Sequence, residues 1–191
     1  MFLVRRPSAR DVERFLSDSQ DLPLSYSPVG LASRPSPDFT SDEQVAVVGS
    51  GDGAFVRATA ALSEWRHFDL GWVELFPRKA PIVPGTVIAV LIRHLGFWSL
   101  NGGRILYQLA GTAGAEFGFA YGTLTNHAES GEEIFSVRLE PATGNVLYTL
   151  RAASRPRAPL ARLGYPVARV LQARFRRDSA TAMKGAVADG M

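Results

Sequence analysis

Six strand-like segments follow one another between Gly71 and Ala153, and this run constrains the fold more than any other feature. GWVELF (71–76), GTVIAVLI (85–92), RILYQLAG (104–111), EFGFAYGTLT (116–125), EEIFSVRLE (132–140) and NVLYTLRAA (145–153) are each bounded by Gly, Pro, Asn or Ser. The SGEE and PATGN links are hairpin-sized, so the strands they join run antiparallel. Behind the run lies a helix from about Pro166 to Val187. Val167, Val170, Leu171 and Phe175 form one apolar stripe on it, and Arg162, Arg169 and Arg176 repeat every seven residues on another.

A long amphipathic helix must bury its stripe, and a sheet with one apolar face is the available partner. The expected class is α+β. The expected architecture is the helix grip of Bet v 1/START type, an antiparallel sheet wrapped around a long C-terminal helix with room for a cavity between them. Two further helices precede the run. Ser8 and Asp11 make a capping-box-like pair ahead of Val12, Phe15 and Leu16, giving a helix over about Ala9–Ser19. EQVAVVG reads as a strand (43–49), and Phe55, Ala58, Leu62 and Trp65 follow it at helical spacing. Residues 20–42 carry Pro23, Pro28, Pro35 and Pro37, but also Leu22, Leu24, Tyr26 and Leu31, so they form a loop that packs rather than a linker. A single domain is expected over 1–191: N-terminal helix and loop 1–42, core 43–187, frayed tail 184–191.

Composition excludes several chemistries. The 191 residues contain no cysteine, which removes disulfides, thiol nucleophiles and thiolate metal sites. The longest apolar run, Val87–Ile92, is too short to span a bilayer. MFLVRRPSAR lacks the apolar core of a secretory signal, so a cytoplasmic location is expected. Residues 1–150 hold 12 basic and 16 acidic side chains, whereas residues 151–191 hold 9 and 2. The basic excess therefore belongs to the last fifth of the chain. Arginines at seven-residue intervals opposite an apolar stripe read as a solvated helix face, so neither nucleic acid nor a membrane surface is the expected partner.

The segment VVGSGDGAF imitates a dinucleotide fingerprint through Gly49, Gly51 and Ala54. A dinucleotide fold would continue as alternating strands and helices, whereas residues 71–153 are all strand. The plainer reading is a glycine turn into a helix capped by Asp52, with no cofactor. Nor is a metal expected, because His67, His94 and His127 show no paired ligand spacing. His67 is expected at a helix end, where its imidazolium suits the dipole, and His94 on a strand rim. His127 ends a strand, with Glu129, Glu132 and Glu133 just across the hairpin. It is a candidate general base whose pKa a carboxylate would raise, or else a salt-linked residue at a solvated tip.

Taken together, several blocks resemble uncharacterised protein family 0548, a domain of unknown function found in bacteria and plants. They are W-x-H-F (Trp65, His67, Phe68), the block Gly122, Thr123, Leu124, His127, Gly131, Glu132, Glu133, and the L-G-Y-P segment (Leu163, Gly164, Tyr165, Pro166). The resemblance runs from about Asp11 to Met183. It implies no activity and carries over no catalytic role.

The residues themselves leave two main functional expectations, beside that of an interaction protein docking through the Arg face or the proline-rich 20–42 segment, for which no large exposed apolar helix face argues. One is a module that binds a small hydrophobic molecule or lipid, with Tyr121, Gly122 and His127 at the ligand. On 116–125, Phe117, Phe119, Tyr121 and Thr123 alternate with Gly118, Ala120 and Gly122. If the small face looks inward, close packing fails there and a cavity results. The alternative is an enzyme of cyclase or hydrolase type, with His127 and Glu132 or Glu133 as acid/base pair. Adjacent strand residues face opposite sides, so at most one of those glutamates can point inside.

Overall fold

Alternation along the strands builds the molecule. The computed structural model describes residues 2–34, 36–111, 115–157 and 165–188. In chain order the elements are β1 (Phe2–Leu3), α1 (Ala9–Asp18), β2 (Thr40–Ser50), α2 (Gly51–Ser63), a 3-10 turn (Arg66–Phe68), β3 (Val73–Phe76), β4 (Val87–His94), β5 (Phe97–Ala110), β6 (Glu116–Thr123), β7 (Glu129–Leu139), β8 (Asn145–Pro156) and α3 (Tyr165–Ala188). The strands form one antiparallel sheet in the order β2-β8-β7-β6-β5-β4-β3, with β1 beside the first half of β5. The sheet curls around α2 and α3, which is the expected helix grip.

Each face of the sheet has its own layer. On the concave face, Ile88, Val90, Phe119, Phe135, Val137, Tyr148 and Leu150 meet α2, the 3-10 turn and α3 in the main core. On the convex face, Val12 of α1 joins Ala89, Leu91 and Leu100 in a second cluster. The Ser8–Asp11 capping box that starts α1 is present in both directions. A third cluster gathers Leu24, Tyr26, Leu31 and Phe39 over Leu106 and Ala153, so residues 24–31 strap the outside of the sheet. No helix among the described residues is long and apolar enough to cross a membrane.

Several expectations are corrected. The aromatic face of β6, not the small one, looks inward: Phe119 packs on Trp65, at 4.8 Å between ring centroids. Gly118, Ala120 and Gly122 lie on the convex face. A Cβ on Gly122 would stand 2.6 Å from the Tyr26 hydroxyl, so this glycine admits the strap rather than a ligand. The α2 N-cap is Ser50, and Asp52 sits one position inside the first turn.

α3 buries its second half rather than the stripe read from its first. Ser179, Ala180, Met183 and Val187 are buried, whereas Val167 is 41% and Val170 68% exposed. Leu171 and Phe175 are partly buried against the core. Arg169 and Arg176 are no solvated face, since both turn back to Asp42 of β2. Arg162, Leu163 and Gly164 lie outside the described residues.

Candidate functional site

Between the first half of α3 and the concave face lies a cavity of about 480 Å³. Its origin is the inward row at that end of the sheet. Ser99 and Asn101 on β5 and Ala152 and Ser154 on β8 are too short to fill the space beneath the helix, where Phe135 and Tyr148 fill it further along. Phe68, Trp72, Val90, Ile92, Leu171 and Phe175 supply an apolar wall. Trp72 is tied to α3, its Nε1 donating to Asp178 at 2.9 Å while the Arg174 guanidinium lies 4.5 Å over its ring.

The rest of the lining includes polar and titratable side chains. Tyr121, His127, Glu129 and Glu133 are among them, together with Asn101. Glu133 follows from strand parity: with Phe135 and Val137 facing inward, residue 133 must as well. Its Oε2 is buried with no hydrogen-bond partner among the described residues. Burial is the main cause that pushes its pKa up to about 7, partly offset by the Tyr121 hydroxyl. The Tyr121 phenol is in turn held well above its ordinary value by burial and by Glu133.

Glu132 goes the other way. Its Oε2 accepts from the Tyr26 hydroxyl at 2.6 Å, from Gly30 N–H at 2.9 Å and from Leu31 N–H at 3.3 Å, and its Oε1 accepts from the Tyr107 hydroxyl at 2.7 Å. This buried carboxylate fastens the strap to the convex face, so it is removed from the candidate acid/base pair. Only one of the two adjacent glutamates reaches the cavity, as alternation requires.

Of the three histidines, His127 and His67 depart from expectation, whereas His94 ends β4 at the strand rim as expected. His127 lines the cavity, but no carboxylate accepts from it. The Glu129 N–H donates to its Nδ1 at 2.9 Å, and burial lowers its pKa to about 3, the opposite of the expected rise. His94 also lines the cavity, edge-on to Phe2 at 6.3 Å, with its pKa lowered by burial. His67 is no helix-end cation. It is fully buried in the 3-10 turn, stacked on Trp65 at 5.5 Å and set against Phe68, Phe119 and Phe135. Neither of its ring nitrogens has a hydrogen-bond partner among the described residues, and burial lowers its pKa to about 3.

A polar seam ties α3 to β2 and β7 beside the cavity. Arg169 donates to both Asp42 oxygens, at 2.5 and 2.8 Å, and to Gln172 Oε1 at 2.8 Å. Gln172 Nε2 in turn reaches Glu129 at 2.8 Å and Ser154 at 3.2 Å. The Arg169 hydrogen bond lowers the pKa of Asp42, while burial raises that of Glu129. The sequence reading missed Asp42, Gln172, Asn101 and Arg176. Polar residues at alternate positions of a strand, Ser99 and Asn101 within WSLNGG, were the available signal.

Among the described residues, no cluster of His, Asp and Glu could hold a metal ion. The family profile described as a domain of unknown function, DUF1990, matches residues 25–182. A UPF0548 protein of Dictyostelium discoideum is 34% identical, over 98% of this chain and 96% of its own. The chain belongs to this family. UPF0548 relatives also occur in Arabidopsis thaliana and Deinococcus radiodurans. Two solved structures share the fold alone. TTHA0849 of Thermus thermophilus superposes with a TM-score of 0.55 at 10% identity, covering 79% of this chain and 99% of that one. The Zhui aromatase/cyclase of a Streptomyces species superposes with a TM-score of 0.50 at 12% identity, over 78% and 93%.

Proposed function

We propose that this UPF0548 protein binds a small, largely apolar molecule carrying one polar end. The observation that carries the reading is the mixed lining of the cavity, in which Trp72, Val90, Leu171 and Phe175 stand with Tyr121, His127 and Glu133. A volume of about 480 Å³ falls in the range of small-molecule sites. The apolar residues supply affinity, and the polar ones fix the orientation of the ligand. Tyr121 and His127 line this cavity and are the proposed ligand contacts, whereas Gly122 is not among them because Tyr26 covers it from the other face.

The test is displacement of an environment-sensitive dye by apolar acids, phenols and ketones, together with native mass spectrometry for a co-purified molecule. Ala152→Phe, which fills the cavity from β8, is expected to abolish dye binding in a chain that still unfolds cooperatively. Dye binding that survives this substitution would place the dye elsewhere and remove the basis of the reading.

A further inference from the structure

We infer that Glu133 and His127 form a carbon-acid site, Glu133 removing a proton α to the carbonyl of an apolar ketone while the neutral His127 donates from Nε2 to the carbonyl oxygen. This rests on the ligand-binding reading and deepens it by naming the substrate class and the role of each polar group.

Geometry fixes the donor. The backbone N–H of Glu129 points at Nδ1 of His127 at 2.9 Å, so that nitrogen carries a lone pair. The Glu129 carbonyl oxygen lies 3.1 Å from the same nitrogen, and the closer N–H, which can only donate, decides between them. A neutral imidazole has one ring proton, which must then sit on Nε2. Nε2 has no partner among the described residues, and the ring lines the cavity. A neutral imidazole donor suits a developing enolate oxygen, because its proton need not leave.

The base is fixed by the same cavity. Glu133 and Glu129 stand four residues apart on β7, about 13 Å of strand, and His127 packs on the Glu129 backbone. No hydrogen bond joins Glu133 to His127, and the two side chains can meet only across the cavity that both line, which is where the ketone would bind. Glu133 lines a largely apolar cavity, where an ionised carboxylate is a stronger base than in solution. The groups that act on it are the Tyr121 hydroxyl from β6, Glu129 on β7, Tyr148 from β8, Asp42 from β2 and Arg176 from α3. Glu132 cannot substitute, since four donors hold it on the other face of the sheet.

The step balances without a co-reactant. The α C–H bond breaks and its proton passes to a Glu133 carboxylate oxygen. The electron pair enters the new C=C bond, and the carbonyl oxygen gains charge against the Nε2–H of His127. Return of a proton from Glu133 to the same carbon restores the ketone. In heavy water the protonated Glu133 carboxyl exchanges its proton for a deuteron with solvent before return, and the carbon is then deuterated.

The experiment follows α-deuteration of propiophenone and β-tetralone by NMR, with dye displacement by the same ketones measured in parallel. Exchange in the parent protein is expected to rise with pH through about 7, as Glu133 ionises. Glu133→Gln is expected to slow exchange by at least about 100-fold, the scale of a positioned general base, while ketone affinity changes by less than about tenfold. His127→Leu should slow exchange and His127→Gln, which retains a donor, should restore part of it. Should His127→Leu fail to fold, ring ¹⁵N shifts decide, because a proton found on Nδ1 overturns the assignment. Ketones that displace dye but exchange no faster than in Glu133→Gln overturn the carbon-acid site and leave the binding reading standing. Ketones that fail to displace dye sink both for this ligand class.

Discussion

Arg169 grips Asp42 with both terminal nitrogens, at 2.5 and 2.8 Å, and so ties the thinly packed half of α3 to strand β2. Arg176 adds a second cation to the same carboxylate at 3.3 Å. Asp42→Asn leaves two partly buried guanidinium groups without their counter-charge. A loss of about 1–2 kcal/mol is expected. Amide hydrogen exchange should accelerate over residues 167–176 while 179–187 stay protected. Uniform protection along α3 in the variant would show that the pair is not what holds the first half of the helix in place.

Glu132→Gln tests the strap. A glutamine offers one carbonyl oxygen where the carboxylate satisfies four donors, so its NH₂ meets at least one of the Tyr26, Tyr107, Gly30 and Leu31 donors head-on. The expected cost is about 2–3 kcal/mol in denaturant unfolding. Dye affinity for the cavity should change little, since Glu132 does not line it. A large loss of affinity at unchanged stability would contradict the separation of the two faces.

Gly122→Ala should destabilise from the outside. The new methyl would meet the Tyr26 hydroxyl, Leu106 and Leu24 at 2.6, 3.0 and 3.1 Å. A loss of about 1–3 kcal/mol is expected from overpacking. Removing the hydroxyl first, in Tyr26→Phe, should make the second substitution cheaper. Additive costs in this double-mutant cycle would mean that the two positions do not touch.

Met183→Ala and Phe175→Ala compare the halves of α3. Met183 is fully buried in the main core and should cost about 2–5 kcal/mol. The Phe175 ring borders the cavity and should cost less, while weakening ligand binding more. The reverse order of stabilities would place the anchor of the helix in its first half.

Acid and base should each weaken the fold through identifiable groups. His67 and His127 have folded pKa values near 3 against an ordinary 6.5, so the unfolded chain binds their protons first. Their contribution is complete above about pH 6.5 and declines as pH falls toward about 3. Glu133 has its pKa raised from 4.5 to about 7, which favours its protonated form in the folded state. Its contribution is complete below about pH 4.5 and is lost as pH rises through about 7. Thermal midpoints of Glu133→Gln relative to the parent should therefore improve across that upper window. A constant offset from about pH 4 to 8 would show that Glu133 titrates as in water.

Much of this was legible in the residues, for reasons that also mark where legibility stopped. The alternation in EFGFAYGT and EEIFSV specified strands and forced Glu132 and Glu133 apart, because pleat parity is a local property. Which face looked inward was not local. Gly118 and Gly122 are as consistent with an under-filled cavity as with a close approach. The answer depended on Tyr26 and Leu24, about a hundred residues away, covering the convex side. Strand β5 begins well before RILYQLAG because SLNGG carries little apolar signal, although its Ser99 and Asn101 help make the cavity. Arg169 and Arg176 resembled a solvated face until β2 placed Asp42 beneath them. The expectation for His127 failed for a related reason. Three nearby glutamates suggested a charged partner, but a strand sends one outward, one into the cavity, and offers only the backbone of the third.

Pleat parity at Glu132 and Glu133 also bears on how such a chain can diversify. Inward positions such as Ser99, Asn101, Tyr121, Glu133, Ala152 and Ser154 can be exchanged without disturbing the carboxylate that fastens the strap one residue away. Recognition and architecture are thus written on alternate letters of the same strands. A lineage can rewrite the first text at little risk to the second, but a single-residue insertion in β7 would transpose the two and lose both at once.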